Sequence, residues 1–186
     1  MQILLTRHGQ TEWNVLKKVQ GKVDIELNAT GIKQAEETAL KLKNTAIDII
    51  ISSPLKRARQ TAEIINKETN LPIIIDERIS ERDFGEFEGM STMDFDFNAF
   101  WSYKQNNKYN KAENIRVFFK RVYDFLDDIK EKYKGKKILI VSHGGISIPI
   151  KCYFNGIPEM YSLLPLCIDN CEVASFNYAD RDKLKD

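Results

Sequence analysis

Short apolar runs alternate along this chain with longer segments whose apolar residues recur at helical spacing, and this alternation constrains the fold more than any other feature. The predicted strands fall at residues 2–6, 47–52, 72–75, 137–141 and 171–176. The longest predicted helix lies between two of them and runs from Ala112 to Tyr133. Strands that alternate with helices form a mostly parallel sheet with helices on both faces. We therefore predict an α/β fold, a three-layer α/β/α sandwich.

Local signals indicate where the helices begin and end. Thr30 is expected to cap a helix with an apolar face. Ser53 stands at an N-cap position and Pro54 at the first helical position of another. The charged tail at residues 180–186 is expected to fray. Because no repeat or flexible linker divides the chain, we predict one domain over residues 1–186.

The composition excludes several classes of protein. The chain carries 28 basic and 27 acidic side chains, a net charge of +1, which argues against a nucleic-acid-binding protein. No apolar run approaches the roughly 20 residues that a membrane-spanning helix needs. Met1 leads into an apolar strand without a basic leader, and the three cysteines show no disulfide pattern. These features predict a cytoplasmic protein. The spacing Cys167-x-x-x-Cys171 is only weak evidence for a metal site, because no third or fourth ligand follows it.

Polar side chains follow the predicted strands at the points where ligands bind in open parallel sheets. They are Arg7 and His8 after the first strand, Ser52, Ser53 and Arg57 after the second, Glu81 after the third, and Ser142 and His143 after the fourth. The chain has two histidines, and each directly follows a strand and precedes a glycine. Two histidines, two arginines and one carboxylate on one rim suit phosphate chemistry.

Each of these residue types has a physical reason to be there. The planar guanidinium of arginine binds two phosphate oxygens at once, and Arg57 is predicted in the first turn of its helix, where the helix dipole attracts anions. A histidine nitrogen attacks phosphorus only when it is unprotonated, and nearby arginines should lower the pKa of His8 below about 6.5. A carboxylic acid such as Glu81 can protonate the leaving alkoxide. This chemistry needs no metal and no other cofactor.

The segment Arg7-His8-Gly9-Gln10-Thr11-Glu12-Trp13-Asn14 resembles the Arg-His-Gly signature of the histidine phosphatase superfamily, also called the phosphoglycerate mutase-like family. Further blocks match in family order: Gln20-Gly21, Asp24, Leu27, Gly31, Ser52-Ser53-Pro54-Leu55-Lys56-Arg57-Ala58, Glu81-Arg82-Asp83-Phe84-Gly85-Glu86-Phe87-Glu88-Gly89 and Val141-Ser142-His143-Gly144-Gly145. The resemblance therefore covers most of the chain. One departure is Ala112-Glu113-Asn114, where relatives often carry Gly-Glu-Ser.

The resemblance implies a phosphomonoesterase that acts on a small-molecule phosphate ester in two steps. His8 would attack phosphorus to form a phosphohistidine, while Glu81 protonates the departing alcohol and then activates water. His143, in its protonated form, would stabilise the transferring group. The substrate-binding residues that the resemblance implies are Arg7, Asn14, Gln20, Gly21, Arg57 and Gly144.

Several alternatives remain open from the sequence. A phosphoglycerate mutase of this type has a basic, proline-containing insertion after the Glu81 motif. Residues 90–111 contain no arginine and no proline. This favours hydrolysis, by an enzyme that resembles α-ribazole phosphatase and broad-specificity phosphatases. A binding module without turnover would need no nucleophile. Arg57 could lie on a solvated helix face, and Asn14 could merely bond its own backbone.

The aromatic segment at residues 84–111 is expected to cover the rim as a cap. Its rings are Phe84, Phe87, Phe95, Phe97, Phe100, Trp101, Tyr103 and Tyr109. They would either line the pocket or only pack this segment against the sheet. The sequence does not determine the natural substrate or the oligomeric state.

The first prediction concerns the nucleophile. Replacing His8 by Ala should abolish hydrolysis of an aryl phosphate, because it removes the side chain that would form the phosphohistidine. Circular dichroism should show an unchanged fold. Substantial turnover by the folded variant would contradict the assignment of His8.

Overall fold

The computed structural model of the protein describes residues 1–182, and for Asp182 only the backbone. Its strands are β1 (Gln2–Arg7), β2 (Ile49–Ser52), β3 (Ile73–Ile75), β4 (Lys137–Ser142) and β5 (Val173–Asn177). Its α-helices are α1 (Glu12–Val15), α2 (Ala29–Leu42), α3 (Lys56–Asn66), α4 (Phe97–Phe100), α5 (Ile115–Lys132), α6 (Gly144–Asn155) and α7 (Tyr178–Asp182). None of the helices in this part of the chain is long and apolar enough to cross a membrane.

The strands form one sheet in the order β3-β2-β4-β1-β5, in which the first four are parallel and β5 runs antiparallel to β1. The central strand β4 shows how the sheet is covered. Its Ile138 and Ile140 belong to one apolar cluster, which includes residues of α5 and α6. Leu139 and Val141 point the opposite way, into a second cluster with residues of α2 and α3. The predicted three-layer α/β/α fold is confirmed.

Several predicted helix boundaries differ from the structure. Asn28, not Thr30, caps α2, because the Asn28 side-chain oxygen accepts the backbone N–H of Gly31 at 2.8 Å. Helix α3 begins at Lys56, so Ser53 does not cap it. At the C-terminus, where we predicted fraying from residue 180, residues 178–182 form α7, and residues 183–186 lie outside the described residues.

Helix α6, which follows β4 directly, was not predicted from the sequence. Nearly every side chain of α6 is buried, and Pro149 lies inside it. A helix that is apolar on all sides shows no 3.6-residue period, so periodicity could not reveal it.

The segment 84–111, called the cap segment below, packs largely on itself. The rings of Phe87, Phe95 and Phe100 contact one another at centroid distances of 4.9 to 5.6 Å. Phe100 also stacks on Tyr109 at 3.7 Å. The cap segment therefore has its own small aromatic core.

Arg82 fastens this aromatic core to the rest of the protein. Its side chain is fully buried, although a charged residue among other charges would ordinarily lie on the surface. Its Nε donates to the carbonyl of Glu113 at 2.9 Å, and Nη1 donates to the carbonyl of Phe100. The guanidinium also lies 5.4 Å from the ring of Trp101. Burial lowers the pKa of Arg82 to about 10, so the group remains charged at neutral pH.

Replacing Arg82 by Met should lower the free energy of unfolding by roughly 3 kcal/mol, because two buried carbonyls would lose hydrogen bonds to a charged donor. Urea denaturation measures this change. The matched control is Arg59→Met on the exposed face of α3, where the loss should be about 0.5 kcal/mol or less. Equal losses in the two variants would show that Arg82 does not fasten the cap segment.

Candidate active site

The sheet register brings the two histidines together. Strands β1 and β4 are neighbours, and Arg7 pairs with Ser142 at their carboxyl ends. The next residue of each strand is a histidine, and the rings of His8 and His143 lie 5.2 Å apart, edge to face. The two histidines predicted at the strand ends therefore belong to the same site.

A cavity of about 260 Å³ opens at this edge of the sheet. All the predicted site residues except His143 line it, namely Arg7, His8, Asn14, Gln20, Gly21, Arg57, Glu81 and Gly144. His143 has no exposed surface, and its ring lies against the ring of His8, which does line the cavity.

The hydrogen bonds of His8 determine which of its nitrogens can react. Nδ1 lies 2.7 Å from the carbonyl oxygen of Gly9. Because a carbonyl only accepts, Nδ1 carries the proton, and Nε2 accepts from Arg57 Nε at 3.3 Å. Burial, and then the charges of Arg57 and Arg7, hold the pKa of His8 well below its ordinary value. The predicted effect of the arginines is confirmed, with burial as the larger cause, so Nε2 is an unprotonated nitrogen at neutral pH.

The backbone around His8 is held from three sides. The N–H of Gly9 donates to Thr61 Oγ1 at 3.1 Å, and Asn170 Nδ2 donates to the His8 carbonyl at 2.8 Å. A Cβ on Gly9 would lie 2.3 Å from the Gly31 carbonyl oxygen, so the loop touches the start of α2. Sequence analysis missed Thr61 and Asn170, since neither belongs to a strand end.

Arg57 lies in the first turn of α3, as predicted, and is fully buried. Its Nη1 and Nη2 donate to the carbonyls of Val23 and Gly21, each at 2.8 Å. Burial lowers its pKa to about 10, which still leaves it charged. The alternative of a solvated helix face is wrong.

Gly21 supports Arg57 through its backbone. Its φ is +50°, and a Cβ there would lie 1.9 Å from Glu88 Oε1. Glu88 in turn accepts the backbone N–H groups of Lys22 at 2.8 Å and Val23 at 3.1 Å. Gly21 therefore lines the cavity and also fixes the guanidinium of Arg57.

Arg7 and Asn14 lie on the same wall of the cavity. Arg7 Nη1 donates to the Ile168 carbonyl at 3.0 Å, while Arg7 Nε is buried and has no hydrogen-bond partner within residues 1–182. Asn14 Oδ1 accepts the N–H of Thr11 at 3.0 Å, so Asn14 does bond its own backbone, as the alternative suggested. Asn14 nevertheless lines the cavity.

Glu81 is fixed by two backbone donors. Oε2 accepts the N–H of Gly145 at 3.0 Å and Oε1 accepts the N–H of Arg82 at 2.8 Å. A Cβ on Gly145 would lie 2.1 Å from Glu81 Oε1. A Cβ on Gly144 would lie 2.6 Å from Cys167 Sγ. Glycine is therefore needed at both positions, because the side chains of Glu81 and Cys167 lie against the backbone at the start of α6.

His143 is neutral rather than protonated. Burial, together with the charges of Arg57, His8, Arg7 and Lys22, holds its pKa well below the ordinary value. The expected protonated form of His143 is therefore disfavoured in this structure, because burial desolvates the imidazolium and the neighbouring basic side chains repel it.

The cavity also contains cations that sequence analysis missed. Lys17 and Lys18 line it, and Lys18 Nζ lies 5.6 Å from the centre of the Trp13 ring. Residues 90–111 contain no arginine, but these two lysines give the cavity a second positive region. No strand end or motif pointed to these lysines.

Part of the aromatic segment reaches the cavity and part does not. Phe84, Phe97 and Trp101 line it, whereas the other rings of the cap segment do not. Cys167 also lines the cavity, but Cys171 lies against Thr38. The two cysteines therefore have different surroundings.

Comparison with known proteins identifies the family. A family model described as "Histidine phosphatase superfamily (branch 1)" matches residues 3–185. The chain therefore belongs to the histidine phosphatase superfamily, as its motifs suggested.

Individual relatives agree with this. A Bacillus subtilis (strain 168) protein named "Uncharacterized phosphatase PhoE" is 39% identical over 183 residues, which are 97% of this chain and 92% of that protein. The structure of Bacillus stearothermophilus YhfR has a TM-score of 0.84 at 28% identity and covers 94% of this chain and 89% of its own. A phosphoserine phosphatase mutant from Entamoeba histolytica, in complex with phosphoserine, has a TM-score of 0.80 at 31% identity and covers 95% of this chain and 90% of its own. The predicted phosphatase, a phosphomonoesterase of this superfamily, is confirmed.

The low pKa values of the two histidines can be tested by NMR titration. Because a lowered pKa keeps the neutral form as the pH falls below about 6.5, both histidines should titrate with midpoints below that value. Arg57→Gln should raise the midpoint of His8 by removing a positive charge, and Arg59→Gln, on the exposed face of the same helix, should not. Midpoints at or above 6.5 in the unmodified protein would contradict the effect of burial.

Proposed function

We propose that this phosphatase hydrolyses small phosphomonoesters through a phosphohistidine on His8, with Glu81 as the proton donor. The observation that carries the proposal is the environment of His8 Nε2, an unprotonated nitrogen that faces Arg57 beside Arg7 in a cavity that Glu81 also lines. Such a nitrogen can attack phosphorus, and the two guanidinium groups offset the charge of the phosphoryl oxygens.

In the first step, the lone pair of His8 Nε2 forms a bond to phosphorus and the bond between phosphorus and the ester oxygen breaks. Glu81, in its protonated form, gives its proton to the departing alkoxide, which leaves as the alcohol. Arg7 Nε, which has no partner among the described residues, is the donor best able to bind a phosphoryl oxygen. Asn14, Gln20, Gly21 and Gly144 surround the same space.

In the second step, water attacks the phosphorus of phosphohistidine. Glu81, now a carboxylate, accepts a proton from that water, and the electron pair of the P–N bond returns to Nε2. Inorganic phosphate leaves and the starting state is restored. Each step is completed by protein side chains and water, so the proposal requires no metal ion.

The walls of the cavity suggest what the alcohol part of the substrate contacts. Phe84, Phe97 and Trp101 supply apolar surface, and Lys17 and Lys18 supply positive charge. A cavity of about 260 Å³ suits a small metabolite. We propose that the cap segment is part of a single domain over residues 1–186 and that the protein acts in the cytoplasm.

The lysines favour one second candidate, a phosphoglycerate mutase. Lys17 and Lys18 could bind the carboxylate or second phosphate of a phosphoglycerate. A coupled assay of 3-phosphoglycerate conversion to 2-phosphoglycerate, with and without bisphosphoglycerate, distinguishes the two activities. Release of inorganic phosphate without 2-phosphoglycerate supports hydrolysis.

Glu81→Gln tests the proton donor. The variant should hydrolyse an alkyl phosphate about 10²- to 10⁴-fold more slowly, since an alkoxide needs a proton to leave. 4-Nitrophenyl phosphate has a leaving group that needs no proton, so phosphohistidine should form and then persist because water is not activated. Mass spectrometry after a quench without acid should find the phosphate on His8.

The matched control is Glu86→Gln, an exposed glutamate on the same segment, which should behave as the unmodified enzyme. Phosphate on another residue, or no phosphorylated protein during turnover, would overturn the role of His8. Equal slowing of the first step, measured as the burst of alcohol or nitrophenol release, with alkyl and nitrophenyl phosphates would overturn the role of Glu81 as the proton donor.

A further inference from the structure

Ser53 does not cap a helix but contacts His143. Ser53 Oγ lies 2.7 Å from His143 Nε2, and both residues have no exposed surface. Ser53 is held beside this histidine because its backbone N–H donates to the carbonyl of Val141 on β4 at 3.1 Å. The pair is thus fixed by the pairing of β2 with β4.

The direction of this hydrogen bond follows from the other partner of the hydroxyl. The N–H of Leu55 donates to Ser53 Oγ at 3.3 Å, which occupies one oxygen lone pair and leaves the hydroxyl proton in need of an acceptor. Among residues 1–182, the acceptor recorded for the hydroxyl proton is His143 Nε2. Ser53 therefore donates its proton to Nε2, and a neutral His143 must carry its own proton on Nδ1.

The Nδ1–H group is then a donor beside the reacting histidine. In the described part of the chain, His143 Nδ1 is buried and has no hydrogen-bond partner. The two imidazole rings lie 5.2 Å apart. A buried donor without a protein partner is a group that a ligand oxygen can satisfy.

We propose that Ser53 is a positioning residue that holds His143 as the Nδ1–H tautomer, so that Nδ1–H donates to the phosphoryl group on His8. This rests on the proposed function, in which His8 receives the phosphoryl group. Ser53 acts through His143 and does not itself touch the substrate.

The charges around His143 explain why a neutral donor suits this position. Arg57, Arg7, Lys22 and the ring of His8 all act on it, and the three basic side chains repel an imidazolium. A neutral N–H group adds a hydrogen bond to a phosphoryl oxygen without opposing these charges. The wrong tautomer would turn a lone pair toward the same oxygen instead.

The tautomer can be measured directly because the chain has two histidines. In protein labelled with ¹⁵N-histidine, His8→Ala removes one set of ring signals and assigns the other to His143. At neutral pH, His143 Nε2 should show the shift of an unprotonated nitrogen and Nδ1 that of a protonated one, and inorganic phosphate should shift the Nδ1 signal of the unmodified protein. A protonated Nε2, or no response of Nδ1 to phosphate, would overturn the proposal.

The second measurement uses variants and 4-nitrophenyl phosphate. Ser53→Ala should lower kcat about 10- to 100-fold with little change in KM, and it should mix the two tautomers in the NMR spectrum. Ser53→Thr, which keeps the hydroxyl, should retain the kcat of the unmodified enzyme and the single tautomer of His143. Ser52→Ala is the matched control, because Ser52 is equally buried but its hydroxyl donates to the Ser53 carbonyl.

The outcomes separate the two proposals. Unchanged kcat in Ser53→Ala, or an equal loss in Ser52→Ala, would overturn the role of Ser53. If Ser53→Ala does not fold, the tautomer of the unmodified protein and the behaviour of Ser53→Thr still decide. If the unmodified protein does not turn over phosphate esters, the proposed function fails, whereas the NMR measurement still determines the tautomer.

Discussion

A buried guanidinium holds together the separate parts of the chain that make this site. Arg57 has no exposed surface, and its nitrogens donate to His8 and to the carbonyls of Gly21 and Val23. Burying a charge without partners costs several kcal/mol, so the fold is stable only when these acceptors are in place. The charge of Arg57 also adds to burial, the larger cause, in holding the pKa of His8 low. The packing that satisfies one cation therefore also favours the neutral form of the neighbouring imidazole.

The fold and most of the site could be predicted because both depend on regular patterns. Alternation along β1 and β4 places buried side chains in two layers. Their parallel pairing then brings His8 and His143 to the same edge. Helix α6 was missed because it lacks such a pattern: nearly all of its residues are buried, so its sequence shows no 3.6-residue period. Periodicity reveals a helix only where one of its faces differs from the other, whereas a short apolar run is enough to indicate a buried strand.

Other residues could not be predicted because their position depends on the path of the backbone. Lys17 has a φ of +52° and reaches the cavity from a segment that pairs with the cap segment, and no spacing indicates this. Ser53 has the sequence of a helix cap, but its hydroxyl lies against the ring of His143. Arg82 has the sequence of a surface charge but is buried among aromatic rings. In each case the partner lies far along the chain.

Glu88 links the side of the cavity that carries Arg57 to the side that carries the cap segment. It accepts N–H groups from Lys22 and Val23 and also from Phe84, at the start of the cap segment. Val19 adds backbone hydrogen bonds to Gly89 and Met90. The two regions are consequently joined into one structural unit. A chimaera that exchanges the cap segment between relatives would have to transplant residues 17–23 with it, or lose the geometry that both regions share.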